Sequence, residues 1–323
     1  MLQTVSKAFF SVLADSTTLK SIASRYGMRA GGGFARRFIA GETADEAIAG
    51  ARAIEASGLL VTLDYLGESV ASIAEADAAT RAYLGVMERV AAAGIERNVS
   101  LKLTQLGLTV DRATSVDNLR RILDAGGAHR FFVRIDMESS AYTAVTLDVF
   151  ETMWQQGYRN AGVVLQSCLP RSEADAARMN ALGARVRLVK GAYKEPRDVA
   201  YQSKADVDAA FVRIMRLLLA EGTYPAIATH DPAMIAATRA CASERGIAAD
   251  RFEFQMLYGI RRDLQASLRA DGCRLRVYVP FGREWFPYFM RRLGERPANV
   301  GFVLRALLGE REPEAAGSPP STV

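Results

Sequence analysis

From Gly58 onward, short runs rich in β-branched and aromatic residues alternate with longer stretches whose apolar residues recur at helical spacing. The short runs are LLVTLD at 59 to 64, VSLKL at 99 to 103, FFVRID at 131 to 136, GVVLQ at 162 to 166, VRLVK at 186 to 190, AIATH at 226 to 230, FEFQML at 252 to 257 and LRVYVP at 275 to 280. Every connection between them is long enough for a helix, so the repeat predicts a parallel sheet wrapped by helices. Closure leaves no strand edge to protect, and the expected fold is an α/β barrel of the (βα)8 TIM type over residues 58–308.

Thr43, followed three residues later by Glu46, has the spacing of a capping box. A helix is therefore expected just before the first strand, closing the barrel's underside. It belongs to an N-terminal helical segment, residues 1–57, in which short amphipathic stretches precede the triplet Gly31, Gly32, Gly33. The triplet reads as a hinge, since no strand precedes it and neither GKS nor GxGxxG follows. The final segment, 309–323, contains EREPEAAGSPPSTV and is expected to be disordered.

Half of the 323 residues are hydrophobic, enough for one large core. Cys168, Cys241 and Cys273 are widely separated without CxxC spacing, and His129 and His230 lie in unrelated stretches. Neither a disulfide framework nor a catalytic metal is expected. The formal charge of +5 is spread along the chain without the aromatic interleaving of a nucleic-acid surface, so no nucleic-acid partner is expected. No apolar run approaches the ~20 residues of a membrane span, and the first residues lack a signal-peptide pattern. The expected setting is the cytoplasm, with peripheral contact to a membrane surface as an addition.

Barrel enzymes place their chemistry at the C-terminal ends of the strands. Lys102, Asp136, Gln166, Arg187, Lys190 and His230 all fall at or near such ends. Singly each suits a structural ion pair or hydrogen bond; together they point to a site. In REWFPYFMRRLGE, residues 283 to 295, Tyr288, Arg291, Arg292 and Glu295 recur at i, i+3, i+4 and i+7 and share one helical face. From pattern alone that face suits a solvated charge stripe as well as a carboxylate receptor, in which each guanidinium offers two parallel N–H donors. Trp285, Phe286, Phe289, Met290 and Leu293 give the same segment an apolar surface.

RLVKGAY at 187 to 193 and YVPFGREWFPYFMRRLGERPAN at 278 to 299, with its Y-x9-Y-x2-RR-x2-E spacing, resemble the proline dehydrogenase family. SLKLTQLG at 100 to 107, VRIDMES at 133 to 139, ATHDP at 228 to 232 and FQMLYG at 254 to 259 extend the resemblance over nearly the whole chain, both to monofunctional enzymes and to the catalytic domain of bifunctional proline utilisation proteins. The resemblance implies a flavoprotein that oxidises L-proline to 1-pyrroline-5-carboxylate by hydride transfer to FAD N5 and passes the electrons to a quinone. It implies FAD on the barrel mouth, in contact with Met137, Gln166, Arg187, Val189, Lys190, Gly191, Ala192, Thr229, His230 and Gln255, and a last helix capping that mouth. On the substrate side it implies Arg291 and Arg292 as a carboxylate clamp, Lys102 as a further cation, and Tyr193, Leu257, Tyr278 and Tyr288 as walls around the ring. Asp136 is expected to orient Lys102 or the flavin environment, Arg187 or Lys190 to favour the reduced flavin, and Glu295 to support an arginine. Transient contacts with a membrane surface and with pyrroline-5-carboxylate dehydrogenase are implied as partners. Two other classes compete: a barrel aldolase forming a Schiff base on Lys102 or Lys190, and a carboxylate- or nucleic-acid-binding module built on the arginines.

Overall fold

The computed structural model describes Met28 and residues 34 to 295. Residues Ala40–Gly282 form one compact unit, and the described residues on either side of it fall in a second. The expectations for the Gly31 to Gly33 triplet and for the tail lie outside the described residues.

The larger unit is a closed barrel of parallel strands in sequential order, with β8 pairing back onto β1. Its elements are α1 (Ala44–Ala56), β1 (Leu60–Tyr65), α2 (Ile73–Ala93), β2 (Asn98–Leu101), α3 (Arg112–His129), β3 (Phe132–Ile135), α4 (Ser140–Gln155), β4 (Ala161–Gln166), α5 (Ser172–Leu182), β5 (Arg185–Val189), α6 (Lys204–Glu221), β6 (Ala226–Ala228), α7 (Pro232–Glu244), β7 (Glu253–Leu257), α8 (Arg262–Ala270) and β8 (Leu275–Phe281). The predicted strands all form. β2 and β6 stop earlier than their apolar runs, so that Lys102 and His230 stand beyond the ladder at the C-terminal ends.

Successive strand residues point to opposite faces, and here the two faces differ in kind. Val61 and Leu63, Val99 and Leu101, Val133 and Ile135, and their counterparts on the later strands join the apolar core shared with the helices. The alternate positions, among them Thr62, Asp64, Ser100, Arg134, Gln166, Arg187, Glu253, Gln255 and Arg276, are buried and polar. Contacts between strands that are not neighbours place them in the lumen: Arg187 on β5 reaches Ser100 on β2 (3.0 Å), and Tyr278 on β8 reaches Asp136 beyond β3 (2.8 Å).

The capping box at Thr43 and Glu46 forms as expected, but α1 does not close the underside. The Ala40 N–H donates to Pro280 O and the Gly282 N–H to Gly41 O, both at 2.9 Å, which ties the approach to α1 to the C-terminal end of β8. At its other end Glu55 accepts from the Glu96 N–H (2.7 Å), just before β2. The helix thus runs antiparallel to the strands along β1 and β8 and beside α2, occupying an outer-ring position. Its buried stripe of Ala47, Ile48 and Ala51 is small enough to lie flat on the sheet.

Toward the N-terminal ends, the lumen is filled by ions. Arg276 spans Glu253 and Glu96, each at 2.8 Å, and donates to Val61 O at 2.6 Å. Burial alone would raise the Glu253 pKa, but Arg276 outweighs it and keeps the carboxyl below its usual value. Arg134 donates to Arg185 O (2.6 Å) and Val163 O (3.0 Å), crossing β4 where Gly162 has no side chain. A Cβ there would come within 2.7 Å of both the Arg134 Nη1 and Phe132 Cζ.

In the second unit, a 3-10 turn (Phe34–Arg37) and α9 (Trp285–Glu295) are described. Phe38 and Trp285 each pack against Phe289, with ring centroids 6.0 and 5.8 Å apart.

Removing one partner of a buried pair leaves the other charge uncompensated. Glu253→Gln is therefore expected to destabilise the protein by about 3 kcal/mol, read as a fall in the urea unfolding midpoint.

Candidate active site

Three of the predicted residues and one wall residue meet at the C-terminal end of the lumen. Asp136, the residue after β3, accepts from Arg187 Nη1 at Oδ1 (2.7 Å) and from the Tyr278 hydroxyl at Oδ2 (2.8 Å). Lys102 Nζ lies 3.8 Å from the same carboxylate. The Arg187 guanidinium also sits 5.3 Å from the Tyr278 ring centroid. The sequence reading did not single out Asp64, which is fully buried with Oδ1 3.4 Å from Lys102 Nζ. A signal was present, because Asp64 closes its predicted strand as Asp136 does.

These groups set one another's protonation. Burial alone would lower the Lys102 pKa, but Asp64 and Asp136 outweigh it and hold the ammonium above its usual value. Burial pushes the Asp64 carboxyl up, with Lys102 opposing. Tyr278 is kept a neutral phenol, first by burial and then by Asp136 and Asp64. A lysine held charged in this way is poorly suited to Schiff-base chemistry, which needs a neutral amine.

Beside this cluster lies a small cradle. Gln166 Nε2 donates to Glu138 O (3.1 Å) and Met137 O (3.4 Å), while its Oε1 is buried without a hydrogen-bond partner. Gly191 has φ +112°, and a Cβ there would collide with Cys168 Sγ and approach Gln166 Cβ to 3.7 Å. The backbone on either side is fixed by the Ser167 N–H donating to Val189 O (2.8 Å) and the Cys168 N–H to Lys190 O (2.9 Å). Ala192 is exposed, and Tyr193 lies near enough to Lys102 to contribute to its raised pKa.

On the β6 and β7 side, His230 Nε2 accepts from the Leu257 N–H (3.0 Å), which places the ring proton of neutral His230 on Nδ1. The Thr229 N–H donates to Gln255 O (3.1 Å). Gln255 turns its Nε2 down to Glu253 (2.5 Å), leaving Oε1 buried without a partner. Lys190 lies between Asp208 (2.5 Å) and Asp231 (2.6 Å), with Lys204 bridging the same two carboxylates. Neither acidic partner was named from the sequence.

Tyr288, Arg291, Arg292 and Glu295 belong to α9, in the other unit. There the Arg292 guanidinium lies 5.0 Å from the Tyr288 ring centroid; the Glu295 side chain lies outside the described residues. Among the described residues, no three His, Cys, Asp or Glu side chains form a metal-binding group, and no helix is long and apolar enough to cross a membrane.

Comparison with known proteins gives a consistent result. The sequence profile of the family described as Proline dehydrogenase matches residues 47–305. Proline dehydrogenase 1 of Bacillus subtilis is 41% identical over 299 residues, which cover 93% of this chain and 98% of that one. The proline dehydrogenase of Deinococcus radiodurans is 42% identical over 278 residues, 85% of this chain and 90% of its own. Among solved structures, proline utilization A (PutA) from Bdellovibrio bacteriovorus, inactivated by N-propargylglycine, superposes with a TM-score of 0.77 at 28% identity and covers 81% of this chain. The match spans 32% of that longer chain.

The Asp231 carboxyl, hydrogen-bonded by Lys190, is lowered to about 2. Its charge therefore adds stability in full above the ordinary aspartate pKa, and that stability is lost as the pH falls through about 2. Asp231→Asn keeps a side chain able to cap α7 and is expected to cost about 1 kcal/mol at neutral pH. In urea titrations the gap from wild type should close as the pH is lowered from about 4 towards 2.

Proposed function

The chain belongs to the proline dehydrogenase family, and from that membership we propose that it oxidises L-proline to 1-pyrroline-5-carboxylate with FAD as its cofactor. The observation that carries the cofactor assignment is the buried, unpartnered Oε1 of Gln166 beside a glycine that admits no side chain. The donor set fits a flavin: an imide N–H satisfies that oxygen, and bare backbone at Gly191 lets a flat ring system approach closely. Met137, Val189, Ala192, Thr229, His230 and Gln255 complete the proposed contacts, with Arg187 and Lys190 as the cations. When bound, FAD supplies the two-electron acceptor that no side chain provides.

The chain's own residues bind and orient the substrate. Arg291 and Arg292 hold the carboxylate through parallel N–H donors, and Lys102 adds a third positive charge. Tyr193, Leu257, Tyr278 and Tyr288 enclose the ring methylenes, which specificity for a small saturated ring requires. Asp136 aims Arg187 and Tyr278 by engaging each with a separate oxygen. Glu295 orients an arginine. The electrons pass to a quinone through transient contact with a membrane surface, and pyrroline-5-carboxylate dehydrogenase takes the product; both assignments rest on the family resemblance.

The purified protein loaded with FAD is expected to be yellow and to bleach when proline is added without oxygen; an unbleached flavin refutes the reading. Losing one charged hydrogen-bonding group costs about 1.5 to 3 kcal/mol. Arg291→Met and Arg292→Met should therefore each raise the KM for proline by roughly 10- to 100-fold while flavin content stays near wild type. Gly191→Val should do the reverse, lowering the flavin-to-protein absorbance ratio because the added side chain meets Cys168.

A further inference from the structure

Oxidation of a secondary amine leaves one proton to be placed. At neutral pH the free amine of an amino acid carries a proton, and the lone pair that assists hydride departure exists only once that proton has gone. Three buried carboxylates stand near the strand ends, and they differ in their capacity to take it. Both oxygens of Asp136 already accept strong hydrogen bonds, from Arg187 (2.7 Å) and Tyr278 (2.8 Å). Glu138 accepts from the Thr104 N–H at Oε1 (3.1 Å) and from the Thr104 hydroxyl at Oε2 (2.5 Å). Asp64 is the least satisfied of the three: it is 0% exposed, Oδ1 has one long hydrogen bond from Lys102 (3.4 Å), the Tyr278 hydroxyl committed to Asp136 adds a weaker stabilisation, and Oδ2 is buried without a hydrogen-bond partner.

We propose that Asp64 accepts the amine proton of the substrate, delivered through Lys102. The inference rests on the reading of Lys102 as a substrate contact. As one Lys102 N–H proton passes to Asp64 Oδ1, Nζ takes the proton of the substrate ammonium in the same concerted event, so Lys102 is never left as the free amine that its two aspartates disfavour. The N–H bond of the substrate breaks, an O–H bond forms on Asp64, Lys102 ends charged as it began, and nothing is oxidised or reduced in the step. One positive charge leaves the amine as one negative charge leaves Asp64, so the net charge of the buried site does not change. That balance matters where uncompensated charge is costly.

The surroundings agree. The ionisable groups facing Asp64 are Lys102 beyond β2, Asp136 at the end of β3, Tyr278 on β8 and Tyr83 on α2. The tyrosines are both kept neutral, chiefly by burial, and Tyr278 donates its hydroxyl hydrogen bond to Asp136. Lys102 additionally faces Tyr193 and Glu68. Burial raises the Asp64 carboxyl towards proton uptake, with Lys102 and the Tyr278 hydroxyl acting against it and Asp136 with it.

The test follows flavin reduction by proline in the FAD-loaded enzyme, without oxygen, across neutral to alkaline pH. Asp64→Asn is expected to slow reduction by about 100-fold near neutral pH. It should recover towards wild type as the pH enters the ordinary range of a free amine, where substrate arrives already deprotonated. Asp64→Glu, which keeps the carboxyl, should retain the wild-type acid limb. Loss by the same factor at every pH, or no loss at any pH, overturns the proposal. Infrared difference spectra supply a readout independent of turnover: adding proline to the wild-type enzyme should produce the carbonyl stretch of a newly protonated buried carboxylic acid, and its absence also overturns the proposal. If proline fails to bleach the wild-type flavin, the proposed function itself is wrong; if bleaching is normal and the variant's pH profile is unshifted, only the role of Asp64 is.

Discussion

Charge enclosed in the barrel has to be neutralised within it. Asp64, Lys102, Asp136 and Arg187 at the C-terminal ends, and Glu253, Arg276 and Glu96 lower down, are held by one another at distances of 2.7 to 3.8 Å. A charge removed from water costs several kcal/mol unless a partner restores what solvent gave, so each side chain constrains the rotamer of the next. Asp136 is where the constraints meet. With one oxygen it holds a guanidinium from β5 and with the other a phenol from β8, tying strands on different sides of the lumen through a single carboxylate.

That polar interior is possible because the apolar work is done on the other face. The outward strand residues and the inward helix faces form the continuous core, leaving the lumen free to carry ions instead of the layered aliphatic side chains common in this fold. Missing side chains are part of the design. Gly162 opens the slot through which Arg134 reaches the carbonyls of β4 and β5, and Gly191 leaves bare backbone beside Gln166. At both positions a β-carbon would collide with an existing group, a steric reason independent of propensity.

The site combines residues that hold charge with residues that keep one polar atom unsatisfied. Lys102 is kept an ammonium by two aspartates, and Tyr278 is kept a donor by burial. Gln166 and Asp64 each retain a buried oxygen with no hydrogen bond. Unsatisfied buried oxygens are uncommon in folded proteins because each forfeits its hydration. Their position at the strand ends, where barrel enzymes work, supports functional readings for both.

The alternation of apolar runs was enough by itself to determine the barrel, because a strand must turn one face to the helices and eight parallel strands can escape exposed edges by closing. The same pattern located Lys102, Asp136, Gln166 and Arg187, since a strand's end is visible in sequence. Only the tertiary structure could decide which of these touch. Asp64 closes its predicted run just as Asp136 does, yet its pairing with Lys102 depends on two strands lying side by side. Asp208 and Asp231 reach Lys190 from α6 and α7, a juxtaposition no local spacing encodes. The course of α1 is a third case: its capping box specifies where the helix begins, through hydrogen bonds between near neighbours, whereas the surface it covers is set by the space left beside β1 and β8.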